Sequence, residues 1–203
     1  MKTPVVLSLS IFVTAIIGDY IVSNTKFSQS LVFRACADSA VHATIGLLSS
    51  ILFFTHENVK DTMYFFNIAF CTFLSSFIDI DHLFVAGSLQ WKDLTNLSHR
   101  GILHCTTFWL AITIILLLYS YMYKKINIYI LTWMLTIAYT SHHIRDGNRR
   151  GLWLYPYGHT QPLHKHLYLF VISVLPNFLI ILSNYWKPSL YNKHAVIDYK
   201  SLV

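Results

Sequence analysis

Four short clusters in this chain set carboxylates and imidazoles at helical spacing. In "DSAVH" Asp38 and His42 are four residues apart, so a helix stacks them on one face. In "DIDH" Asp79 and His82 are three apart, and Asp81 turns to another side of the same helix. In "SHHIRD" Asp146 lies four residues after His142 and three after His143, so its carboxylate can meet either ring. "HRGILHC" adds His99 and His104, with Gly101 allowing a bend between them. A mixed set of carboxylate oxygens and imidazole nitrogens suits zinc, manganese or iron and leaves a coordination position open for water. The chemistry that follows is hydrolysis of an ester or phosphoester by a metal-activated water, with a neighbouring arginine holding an anionic group by its planar fork. The structural alternative is that each cluster is a local hydrogen-bonded pair inside a membrane helix, or part of a proton or ion relay.

The elements that position these clusters are membrane helices. Of 203 residues, 55% are hydrophobic and only 12% are charged, and aromatic residues make up 16%. That composition belongs to an integral membrane protein rather than a soluble domain. Apolar windows predict about six transmembrane helices, over residues 4–23, 36–55, 63–82, 102–123, 126–145 and 167–186. The first is read as a spanning helix rather than a signal peptide, because its apolar run is too long for one. Short connections such as Lys124-Lys125 favour antiparallel neighbours. The expected fold is therefore all-α, a multi-pass membrane helix bundle forming a single integral membrane domain over residues 1–203.

The formal charge of +6 is scattered rather than clustered, which excludes nucleic acid as a partner and favours membrane lipid. Three cysteines without CxxC spacing give neither a disulfide framework nor a zinc ribbon. Basic residues divide almost evenly between the two sides. Once arginines among acidic residues and histidines are set aside, the side holding both termini is the more positive, and the termini are expected in the cytosol.

Potential ligands do not divide evenly. Asp19, Asp38, Asp79, Asp81, Asp93 and Asp146 fall on the side away from the termini, together with nine of the eleven histidines. Residues from several helix ends thus gather at one face, which a random scatter of polar caps would not produce. Asp19 reads as a helix-boundary residue, Arg149 and Arg150 as headgroup contacts, and Trp153, Tyr155 and Tyr157 as an aromatic belt. His159, His164 and His166 read as solvated loop residues.

The stretches "DSAVHATIG", "IDIDHLFVAGS", "LHCTT" and "SHHIRDGNRRGLWLYP" resemble the animal transmembrane protein 267 family of small multi-pass proteins. More distantly, the order "DIDH", "HRGILH" and "HHIRD" is similar to bacterial inner-membrane proteins of the YdjM type, described as metal-dependent hydrolases. That resemblance implicates His42, Asp79, Asp81, His82, His99, His104, His142 and Asp146. Two departures stand out: Leu103, His104 and Cys105 occupy the place of a Thr-His-Ser, and Arg149 stands where a threonine is expected.

The resulting expectation is one or two divalent metal ions held by Asp79, His82, His142 and Asp146, with Asp38, Asp81, His99 and His143 as secondary ligands. His42 or His104 would relay protons, and Arg100 or Arg145 would hold an anionic group on a lipid-like ester or phosphoester.

Overall fold

The computed structural model describes residues 2–57, 61–97 and 99–187, so the C-terminal end of the expected 1–203 unit lies outside the described residues. The long apolar windows become α1 (Lys2–Asn24), α2 (Leu31–Glu57), α3 (Asp61–Phe77), α6 (Thr106–Tyr123), α7 (Ile126–Arg150) and α8 (Lys165–Trp186). Between α3 and α6 lie the short helices α4 (Asp81–Ala86) and α5 (Trp91–Thr95). A two-residue hairpin, β1 (Trp153–Leu154) against β2 (Gly158–His159), follows α7. The fold is nearly all-α.

Among the described residues, five segments are long and apolar enough to cross a membrane: Thr3–Asn24, Leu31–Glu57, Met63–Ala86, Thr106–Tyr123 and Lys165–Trp186. Large apolar side chains on the outer faces of α1, α6 and α8 are exposed, among them Leu9, Ile17, Ile115 and Phe170, as lipid contact requires. The sixth expected helix, α7, is different. It packs against α2, α3, α6 and α8 at the centre of the bundle. Because protein surrounds it, its last turns can carry His142, His143, Arg145 and Asp146 without exposing charge to lipid.

Two apolar clusters hold the bundle. Ile11, Ala15, Val41, Ile45, Leu169 and Ile172 join α1, α2 and α8. Phe53, Phe54, Cys71, Tyr129 and Trp133 help to join α2, α3 and α7 toward the other end. There Glu57 is buried, accepting from Lys187 Nζ at 2.7 Å and from Ser183 Oγ at 2.9 Å, so the end of α2 is clasped to the end of α8.

Helix ends differ from the sequence expectation where side chains make long-range bonds. α7 runs on to Arg150, five residues past the expected 145, and Arg149 on that extension forks onto Asp38 of α2. The fourth span starts at Thr106 rather than 102, because a 3-10 turn at Ile102–His104 intervenes. The third becomes α3, a 3-10 turn at Ile78–Ile80, and then α4. That change of pitch aims Asp79 and Asp81 in separate directions.

Candidate metal centre

The ends of α3, α6 and α7 bring four side-chain atoms to one point: Asp79 Oδ1, His104 Nε2, His142 Nε2 and Asp146 Oδ2. His104 Nε2 lies 3.3 Å from Asp79 Oδ1, 3.5 Å from Asp146 Oδ2 and 3.2 Å from His142 Nε2. His142 Nε2 lies 3.5 Å from Asp79 Oδ1 and 3.9 Å from Asp146 Oδ2. Ligands about 2 Å from a tetrahedral ion stand roughly 3.3 Å apart. The five separations that involve a histidine run from 3.2 to 3.9 Å, and all four ligand atoms lie within 4.8 Å of one another, close enough to share one ion.

Both rings are oriented from behind. His142 Nδ1 donates to the Ser75 carbonyl at 2.8 Å, and His104 Nδ1 donates to Asp81 Oδ2 at 3.0 Å. Each ring therefore turns its Nε2 inward, the arrangement in which a carbonyl or carboxylate fixes a ligating histidine. Four electron-rich atoms at one buried point repel one another unless a positive charge lies among them, either a metal ion or a proton on His104. Burial alone would lower the His104 pKa, but hydrogen bonds to Asp146, Asp79 and Asp81 outweigh it and push it up to about 11.

Local sequence explains these approaches. A Cβ on Gly101 would overlap the Asp81 carboxylate, so the glycine before the 3-10 turn lets Asp81 reach His104. A Cβ on Gly46 would collide with Ser75, and its absence lets α2 and α3 close until Ser75 Oγ donates to the His42 carbonyl at 2.9 Å. Ser75 was not singled out from the sequence.

The other expected site residues surround this centre at different distances. His42 is buried, stacks on His142 with ring centroids 3.8 Å apart, and places Nε2 3.5 Å from Asp146 Oδ1. Among the described residues, neither His42 nitrogen has a partner at hydrogen-bond geometry. His82 is partly exposed, with Nε2 3.8 Å from Asp79 Oδ1, outside the four-atom set. Asp81, expected to turn away from Asp79 and His82, uses that direction to hold His104. His143 spends one nitrogen on Thr106 Oγ1 at 3.2 Å and the other on the Leu103 carbonyl at 2.9 Å. His99 is exposed and belongs to none of the ligand-forming groups among the described residues.

The arginines divide by partner. Arg100 is buried and donates to Asp146 Oδ2 at 3.4 Å and to the Gly151 carbonyl at 3.2 Å. Burial lowers its pKa, against the raising effect of Asp146. Arg145 is also buried, and its guanidinium is engaged by Asp38 and, at 3.1 Å, by Asp19. Asp19 is thus an ion-pair partner rather than only a boundary residue, because α1 packs close enough to α2 for both carboxylates to meet α7. Arg149 likewise bonds Asp38 at 2.6 and 2.9 Å, where headgroup contact was expected. The expected loop histidines, His159, His164 and His166, are exposed.

A cavity of about 700 Å3 opens beside the centre, with Asp79, His82, Arg100 and Asp146 among its walls. Its size lies within the usual range of small-molecule sites.

Comparison with known proteins places these residues in context. The family described as YdjM inner membrane protein matches residues 38–197. Transmembrane protein 267 of Danio rerio is 38% identical over 167 residues, covering 82% of this chain and 74% of that protein. Transmembrane protein 267 of Xenopus laevis is 37% identical, covering 84% and 78%, and that of Bos taurus is 38% identical with the same coverage. No solved structure matches.

Proposed function

The chain belongs to the YdjM inner membrane protein family and to the transmembrane protein 267 family, and on that premise we propose that it is a metal-dependent hydrolase of lipid-like ester or phosphoester substrates. One observation carries the reading: the ligand atoms of Asp79, His104, His142 and Asp146 lie within 4.8 Å of one another, with both histidines oriented from behind. Structural pairs need only one partner each, whereas this cluster aims two imidazole nitrogens at one another. A divalent ion bound there would polarise the oxygen under attack and bring a bound water close to neutral acidity.

The chain's own residues would do the remaining work. Asp79, His104, His142 and Asp146 hold the ion; Asp81 and the Ser75 carbonyl keep the two rings in register. Buried His42, with Nε2 3.5 Å from Asp146 Oδ1, is placed to relay protons. Arg100 offsets the charge of Asp146 and faces the cavity. The direct test is metal analysis and hydrolysis by the purified protein. Zinc, manganese or iron should copurify, and ester or phosphoester hydrolysis should disappear on chelation and return with metal. Metal content equal to that of a mock purification would overturn the proposal.

A further inference from the structure

The cavity beside this centre shares two wall residues with a second one. The first contains Arg34, Arg100, Arg149 and Arg150 as well as Asp38, Asp79 and Asp146. Arg100 is bonded to Asp146 and Arg149 to Asp38. Among the described residues, no ion pair joins Arg34 or Arg150 to a carboxylate, and both are exposed. Four arginines thus face three carboxylates, and a divalent ion would raise the local excess to three positive charges. Such a wall selects an anion over a neutral headgroup.

The second cavity, about 710 Å3, is an apolar groove between α2 and α3 that shares Phe73 and Ser76 with the first. Ala43 and Leu47 line it from α2, and Phe65, Ile68, Ala69 and Thr72 from α3. On α3 these residues recur turn by turn from Ser76 back to Phe65, a run of about 16 Å at 1.5 Å per residue. That is roughly half of a hydrocarbon core about 30 Å thick, the depth of one leaflet. Phe65 and Phe73 are both well exposed within a spanning segment, so the groove opens on the lipid-facing side.

The geometry points to a phosphate-headed, single-chain amphiphile as the ligand, with its phosphate between Arg34 and Arg150 beside the metal centre and its chain in the groove between α2 and α3. The three terminal oxygens of a phosphate monoester let each guanidinium bond one oxygen while the third is directed at Asp79 and Asp146, where the ion would sit. The identity of the ligand rests on the reading of the cluster as a metal centre; the head-and-tail shape rests on the two neighbouring cavities with Phe73 and Ser76 between them.

Equilibrium binding separates the parts. Full-length protein in phosphatidylcholine nanodiscs with manganese is titrated with dodecyl phosphate, dodecanol and inorganic phosphate. Dodecyl phosphate should bind at least tenfold more tightly than either of the others. The R34A/R150A double variant should bind it about as weakly as dodecanol, and Ala43→Phe should weaken it at least fivefold while leaving inorganic phosphate unchanged. Equal affinity for dodecyl phosphate and dodecanol, or dodecyl phosphate binding unaltered in both variants, would overturn the inference; tight inorganic phosphate binding with no gain from the chain would assign the site to free phosphate instead. Because binding is the readout, failure to hydrolyse any ester would remove the enzymatic reading and leave this one standing.

Discussion

His104 and His142 direct their Nε2 atoms at each other across 3.2 Å, while Asp81 and the Ser75 carbonyl hold the opposite side of each ring. Two imidazoles so fixed cannot rotate away from their mutual contact without giving up a buried hydrogen bond. The contact is therefore built, and it requires a positive charge between the rings, a proton on His104 or the metal ion that the proposed function puts in its place. Purified wild-type protein should accordingly carry about one equivalent of zinc, manganese or iron per chain. His142→Ala or Asp79→Ala should reduce that content to background, as measured by elemental analysis of matched preparations. Full retention of metal by both variants would remove these residues from the ligand set.

Asp81 tests the centre without removing any of the four proposed ligands. It is buried, and its Oδ2 accepts from His104 Nδ1 at 3.0 Å. Asp81→Asn keeps the shape but weakens the hold on the ring and lowers its basicity. Metal affinity should fall between about tenfold and a hundredfold, the usual range for losing a residue that orients a ligand. Competition with a chromophoric chelator measures this directly. An unchanged affinity would mean that the 3-10 turn alone positions His104.

Much of this arrangement was readable in the sequence because helical spacing and span length are local properties. Six apolar windows, alternating across a membrane, are enough to send Asp79, His104, His142 and Asp146 to one face. What spacing cannot give is the rotation of one helix against another. Asp38 and His42 sit at i, i+4 and look like each other's partners, yet Asp38 bonds Arg145 and Arg149 while His42 Nε2 lies beside Asp146. Arg145 looked available for substrate and is instead enclosed between α1, α2 and α7. The role of Ser75 was hidden for another reason: its contribution to His142 is a backbone carbonyl, which carries no side-chain signature.

The same centre sets a pH dependence. With its pKa pushed up to about 11, His104 holds a proton throughout the neutral range, and a metal ion must displace it. The sign follows: lower pH favours the proton, so metal affinity falls as pH falls and rises as pH climbs toward that value. One displaced proton gives about tenfold per pH unit. Between about pH 6.5 and 8, affinity should rise roughly thirtyfold, after correction for the chelator's own protonation. A flat profile would show that no proton leaves when the ion enters.

Asp38 separates structural from ligating carboxylates. It joins α2 to α7 through Arg145 and Arg149, and Arg145 is almost fully buried. Asp38→Ala would leave that guanidinium with Asp19 alone, and an incompletely paired buried charge costs about 3 kcal/mol. Asp19→Asn should cost less, because Asp38 still faces Arg145 and its remaining contact is the shorter one. Thermal unfolding should therefore show the larger drop in midpoint for Asp38→Ala, while both variants keep the metal content of wild type at temperatures where they remain folded. Loss of metal from a still-folded Asp38→Ala protein would instead make this carboxylate a ligand, acting through its proximity to His42 and Asp146.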